Sequence, residues 1–177
     1  IINADGSVQT AFETEQYLTG TPAIGNLDDD PELEVIIGGY HNSGKLFAIN
    51  SDSSNVAGFP IEINEKIKAG VALADFNNNN LDDIVFGTDE NNLYLIYDNG
   101  TIAEGFPFIS EDKFRVTPLI IDDQNQKIII APSENNHIYG IQEDGTIKFD
   151  ILFDSRITTT PSVLKIENNI YIFIGLD

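Results

Sequence analysis

The chain has 177 residues, with 29 acidic against 9 basic side chains and a formal net charge of −20; 41% of its residues are hydrophobic and 10% aromatic. That much apolar material can bury a core, which excludes disorder, while the charge repels phosphate backbones and anionic lipid heads and so excludes nucleic acid and membrane surfaces as partners. Cysteine is absent, which excludes disulfides, thiol nucleophiles and zinc–thiolate sites, and the longest apolar runs, such as 128–131, fall far short of the roughly 20 residues that cross a bilayer.

Taken in chain order, the sequence is periodic. Ile1-Ile2-Asn3-Ala4-Asp5-Gly6-Ser7-Val8 matches the later stretch 96–102, so residues 1–20 read as the end of a repeat unit. With no methionine present, Ile1 is expected to follow a cut. A full unit begins at Thr21-Pro22, and its first fourteen residues (TPAIGNLDDDPELE) align with 70–83 (GVALADFNNNNLDD) at an offset of 49. Gly58-Phe59-Pro60 recurs as Gly105-Phe106-Pro107 at an offset of 47, and Asn99-Gly100-Thr101-Ile102 recurs as Asp144-Gly145-Thr146-Ile147 at an offset of 45. Further units start at Thr117-Pro118 and Thr160-Pro161. The repeats are therefore set at about 21–68, 69–115, 116–158 and 159–177, with 1–20 and 159–177 as partial units.

Within the first unit, TPAIGNL, EVIIGGY, KLFAINS and FPIEI are short β-branched and aromatic segments separated by Gly, Asn, Asp and Pro clusters. That pattern predicts four consecutive antiparallel strands and no helix. Asn99-Gly100 and Asp144-Gly145 are expected to supply the positive backbone angles of tight hairpins. A four-stranded unit of 40 to 50 residues cannot bury both faces alone and must stack on its neighbours, so the predicted fold is all-β: a β-propeller of about four blade equivalents. A segment of a larger ring is expected ahead of a small closed four-bladed ring, and an open segment would invite self-association through its edges.

Two loops carry candidate metal chemistry. Oxygen-bearing side chains fall at positions 1, 3, 5 and 9 in each: Asn26, Asp28, Asp30 and Glu34 in the first, Asp75, Asn77, Asn79 and Asp83 in the second. Ca²⁺ takes six to eight oxygens, and a backbone carbonyl at position 7 (Glu32, Leu81) would fill a further place. Two structural Ca²⁺ sites are expected, the first tighter because it has three carboxylates against two. The third unit keeps Asp122 and Gln124 but places Lys127 where an anion is needed, and the fourth, with Lys165, Asn168 and Asn169, has no site.

The threonine-proline start, the acidic loop, Glu34-Val35-Ile36-Ile37-Gly38, Lys45-Leu46-Phe47-Ala48-Ile49-Asn50 and Gly58-Phe59-Pro60 together resemble the FG-GAP repeats of integrin α-subunit propellers and their bacterial relatives. The resemblance implies a propeller with Ca²⁺ in its hairpin loops, in extracellular or cell-surface proteins that adhere or present binding surfaces. The family's usual glycine at loop position 6 is replaced by Pro31 and Asn80; asparagine tolerates the left-handed conformation and proline cannot adopt it.

With alternating strand direction, the acidic loops and the Asp-Gly turns share one face. The opposite face carries the longest irregular loop, and Tyr40 and His41 in it are the candidate ligand-binding residues, for a protein or carbohydrate partner. The tyrosines Tyr94, Tyr97, Tyr139 and Tyr171 are placed in strands. No nucleophile with a base, histidine-rich metal site or phosphate loop is recognisable, so the expectation is a non-catalytic, secreted binding or adhesion module. The alternative is an accessory or catalytic propeller of a secreted polysaccharide-active enzyme.

Overall fold

The computed structural model describes residues 1–123, 126–167 and 169–177, and among them every regular element is a β-strand. The first unit gives β1 (Ala23–Gly25), β2 (Glu34–Gly38), β3 (Lys45–Ile49) and β4 (Ile61–Glu62). The second gives β5 (Ala72–Ala74), β6 (Asp83–Gly87), β7 (Asn92–Ile96) and β8 (Phe108–Ile109). The third gives β9 (Leu119–Asp123), β10 (Gln126–Pro132), β11 (His137–Gln142) and β12 (Ile147–Leu152), and the last contributes the hairpin β13 (Ser162–Ile166) and β14 (Asn169–Phe173). Each of the first three units is a four-stranded antiparallel sheet whose strands pair in chain order; the fourth sheet has two strands. The fold is a β-propeller.

Alternation along the middle strands explains the stacking. In β6 all five residues are buried, and their side chains point to opposite faces by turns. Ile84 and Phe86 join Ile36, Leu46 and Ile67 in a core between the first and second blades, while Val85 joins Ile129, Phe114 and Tyr139 in a core between the second and third. A third core, built on Ile121, Ile128, Ile130, Ile138 and Ile157, includes Ile170 and Ile172 of the last hairpin. A sheet apolar on both faces is stable only when both are covered, which is why the unit repeats.

The segments between blades are fixed by a recurring device. Ile67 and Phe114 are buried, and each donates its backbone N–H to the loop that follows the second strand of a blade: Ile67 to the Gly39 carbonyl at 3.1 Å, Phe114 to the Thr88 carbonyl at 3.0 Å. Gly38 and Gly87 end β2 and β6 because the linker side chain occupies the space a Cβ would need; a methyl at Gly87 would overlap Phe114. Hairpin turns also recur. Gly100 and Gly145 take φ of +85° and +78°, whereas Asn99 and Asp144 before them do not enter the left-handed region and instead accept the N–H of Thr101 and Thr146.

At the two ends the stacking stops. Residues 1–20 form a short turn bridged by Ile2 and Val8, and Phe12 lies edge-on to Phe47, ring centroids 6.3 Å apart, beside Ile37 and Ile49 on the outer side of the first blade. Among the described residues, no strand pairing joins 1–20 to β14, and Leu164, Tyr171 and Phe173 of the last hairpin are exposed. The linker device gives a direct test: Gly87→Ala is expected to destabilise the protein by about 1–3 kcal/mol through overpacking, read as a lowered urea midpoint at unchanged slope.

Candidate functional site

Glu34 opens β2 at the end of the first acidic loop and is 0% exposed. Its Oε2 accepts the Leu27 N–H at 2.6 Å, but its buried Oε1 has no hydrogen-bond partner, and neither does the buried Oδ1 of Asn26. Asp28, Asp30 and Glu34 bring one carboxylate oxygen each to within 4.8 Å of one another. Turns within the loop aim them: the Asp30 N–H bonds Asp28 Oδ1 at 3.0 Å and the Glu32 N–H bonds Asp30 Oδ1 at 2.8 Å. Burial raises the pKa of Glu34; the Leu27 N–H opposes the rise, and the charges of Asp28 and Asp30 add to it. Three converging carboxylates and two orphaned buried oxygens form a set of hard donors lacking positive charge, the chemistry that suits Ca²⁺.

The second loop has the same spacing and a different interior. Asp83 opens β6 and is also 0% exposed, yet both of its oxygens are satisfied. Oδ2 accepts from Phe76 N–H at 2.7 Å and Asn77 N–H at 3.3 Å, and Oδ1 from Asp98 N–H at 3.0 Å. Asp75 accepts the N–H groups of Asn79 and Asn80, Asn79 Oδ1 accepts that of Leu81, and the side-chain amides of Asn77 and Asn79 donate to Asp98. Asn78 and Asn80 take φ of +60° and +72°, which closes the loop around its own donors. In the first loop none of the non-glycine residues has positive φ; Pro31 stands where Asn80 turns, and its ring forbids that conformation. The first loop therefore leaves two buried oxygens without a partner, while in the second both oxygens of the buried carboxylate are hydrogen-bonded.

Two neighbours were not legible as part of these sites. Asp82, from the second blade, accepts the Asn26 N–H on Oδ2 at 3.0 Å and donates its own N–H to the Asn26 carbonyl at 2.7 Å, so the first loop is braced by the blade beside it. Asp98, from the turn after β7, closes the second loop. In the third unit β9 and β10 pair almost directly, with Lys127 opposite Asp122; Gln124, and Asn168 in the fourth unit, lie outside the described residues.

On the opposite face Tyr40 serves the joint between blades. Its hydroxyl donates to Asp89 Oδ2 at 3.4 Å, its N–H to the Tyr17 carbonyl at 2.7 Å, and Lys66 Nζ sits 5.7 Å from its ring centre. Asp89 in turn holds Arg115 with two bonds of 2.6 Å. Burial of Asp89 raises its pKa, but the hydrogen bond and charge of Arg115 outweigh that and hold it below the ordinary value. Arg115 continues to Glu134, which also pairs with Arg156, so a ladder of polar contacts crosses the first three units. His41 is exposed and its Nδ1 bonds only Ser43.

The acidic-loop face holds two inter-blade concavities. Between the first and second blades lies a groove of about 370 Å³ that includes Leu27, Asp28, Gly58 and Asp98. Between the second and third lies a cleft of about 560 Å³ lined by Phe76, Tyr97, Glu104, Gly105, Glu143 and Asp144. Tyr97 was expected inside a strand; β7 ends at Ile96, and Tyr97 lies half-buried in the turn that follows, as part of this cleft.

The pKa of Asp83 gives a sign that can be tested with metal chelated. Burial pushes it up to about 6, against the N–H bonds from Phe76, Asp98 and Asn77. The folded protein then binds this proton more tightly than the unfolded chain, so stability falls as pH rises from about 4 to about 6 and levels off above. Urea denaturation across that range is expected to show the slope, and Asp83→Asn to flatten it.

No protein-family model matches the chain, and no curated protein matches it in sequence. Solved structures match in fold. BamB from Moraxella catarrhalis superposes with a TM-score of 0.63 at 17% identity, over 93% of this chain and 46% of that one. BBS1N, in complex with ARL6DN, gives 0.60 at 13% identity over 91% and 51%, so the chain spans about half the length of each. The computationally designed Ika4 protein gives 0.60 at 10% identity over 96% and 99%. At these identities the likeness establishes the β-propeller fold and nothing finer.

Proposed function

We propose that the chain is a non-catalytic β-propeller module of the FG-GAP type, stabilised by Ca²⁺ in its first acidic loop and used outside the cell to bind a partner protein. The observation that carries this reading is the unpartnered, buried Oε1 of Glu34, whose carboxylate converges with those of Asp28 and Asp30 in a loop where Asn26 Oδ1 is also unpartnered. A bound Ca²⁺ supplies positive charge to three carboxylates that otherwise repel each other, and coordination to oxygens that burial has removed from water. Asn26, Asp28, Asp30 and Glu34 would hold it. Extracellular modules bind Ca²⁺ with dissociation constants of about 10⁻⁴ to 10⁻³ M, a range in which a loop of this kind is filled outside cells. The second loop, satisfied by its own N–H groups, is assigned the weaker site.

A protein partner is favoured by the rigid scaffold with loops on both faces, and BBS1N bound to ARL6DN is a structure of similar fold in complex with another protein. Thermal unfolding in millimolar Ca²⁺ against excess chelator tests the reading. A ligand bound only by the folded state at one to ten times its dissociation constant stabilises by about 0.4–1.4 kcal/mol, and a chain of this size gains roughly 2–4 °C per kcal/mol. The rise should disappear in Asp28→Ala or Asp30→Ala, persist in Asp83→Asn, and shrink as pH is lowered because Ca²⁺ must displace a proton from Glu34. An unchanged midpoint in the parent protein would contradict the calcium assignment.

A further inference from the structure

The repeat supplies an internal comparison between the two inter-blade depressions on the acidic-loop face. Leu27 in the first corresponds to Phe76 in the second, Ala57 to Glu104, and Asp98 to Glu143, at the repeat offsets of 49, 47 and 45; Tyr97 matches Asn50, which does not line the first. The same scaffold has therefore exchanged an aliphatic residue and an asparagine for two aromatics, and a methyl group for a carboxylate. Asp98 is occupied in the first depression, where it accepts from Asn77 and Asn79. Among the described residues Glu104 and Glu143 have neither a hydrogen bond nor an ion pair, and no cationic side chain lines the cleft.

The walls are held in place before anything binds. Tyr97 donates its N–H to the Thr101 carbonyl and accepts that of Gly100 on its own, Phe106 donates to Ala103, and Gly145 donates to Gln142. Gly105, at φ +84°, lets its loop approach the turn of the third blade so closely that a Cβ there would overlap the Asp144 carbonyl. Asp144 accepts the Thr146 N–H and hydroxyl, which fixes the far wall. The result is an open, preorganised cleft of about 560 Å³ in which the half-buried Tyr97 offers the accessible aromatic ring, Phe76 being buried in the core between blades, and the unpaired carboxylates of Glu104 and Glu143 stand around it.

From this we infer that the cleft binds a basic side chain, lysine or arginine, on an extended segment of the partner protein. The aromatic ring and the free carboxylates are each complementary to a cation, and the field of a chain at −20 draws cations toward both. A neutral sugar would use the ring but leave the carboxylates uncompensated. The inference rests on the reading of the chain as a protein-binding module, but not on the metal: no ligand of the first loop lines the cleft.

The test is calorimetry and amide NMR on the whole chain with three probes: a short blocked glycine–arginine peptide, its glutamate counterpart and a neutral oligosaccharide. Each is run with Ca²⁺ and with chelator. The arginine peptide should bind alone, lose affinity with added salt, and shift the amides of Phe76, Tyr97, Glu104 and Glu143. Tyr97→Asn and Glu104→Ala, which write the first unit's residues into the second, should each weaken it by about three- to tenfold. Glu13→Gln and Glu111→Gln, which remove charge elsewhere, should leave it within about twofold. Failure of the arginine peptide, shifts spread over the acidic surface, equal losses in the charge controls, or preference for the oligosaccharide would each overturn the inference. Binding that fails in a protein still stabilised by Ca²⁺ would refute the cleft and leave the calcium reading standing; binding that persists without any Ca²⁺ effect would do the reverse.

Discussion

The middle strands of the second and third blades are covered on both faces by neighbouring sheets, and those of the first by the second blade and residues 1–20, and that constraint governs where charge can sit. β2 and β6 each begin with a carboxylate that is wholly buried, Glu34 and Asp83, at the place where the loop enters the stacked core. An ion removed from water needs hydrogen bonds or an opposite charge. The two blades answer this differently from one spacing of residues. Asp83 collects backbone N–H groups from its own loop and from Asp98, whereas Glu34 receives one, from Leu27, and retains an oxygen with no partner. The difference follows from backbone stereochemistry: Asn78 and Asn80 can turn left-handed and close the second loop, and Pro31 cannot.

Much of this was legible in the sequence, because the period of the chain is the period of the blade. The offsets of 49, 47 and 45 between units reappear as the spacing of equivalent strands, and the alternation within VIIG and IVFG gives the two-faced burial. The loop spacing pointed to the same oxygens that converge at Asp28, Asp30 and Glu34. What did not show was everything contributed across a blade boundary. Asp82 bracing Asn26 and Arg115 between Asp89 and Glu134 depend on stacking that brings residues 19 to 56 positions apart into contact, and Asp98 reaches the second loop only through the pairing of β6 with β7 within one blade. Tyr97 was misplaced for a related reason: an aromatic residue after a strand looks like core until the neighbouring turn is seen to leave it facing a cleft.

The same comparison redistributes function between the two faces. The loop with Tyr40 and His41 is irregular in sequence, which is a sign of binding, but Tyr40 is taken up by Asp89, Lys66 and the Tyr17 carbonyl at the joint between blades. On the acidic-loop face, the first acidic loop and the cleft with Tyr97 lie on successive inter-blade boundaries, where the repeat is broken by substitutions rather than by insertions. Departures from an otherwise regular repeat are where a scaffold that fixes geometry can acquire chemistry.

The central claim is that Glu34 is a buried carboxylate awaiting a cation. Carbon-13 NMR titration of the glutamate side-chain carboxyls, with chelator and then with Ca²⁺, addresses it without reference to stability. The account predicts a Glu34 pKa above the ordinary carboxylate range in the metal-free protein, falling well below it when Ca²⁺ is present. A Glu34 titration that is unchanged by Ca²⁺ would contradict it.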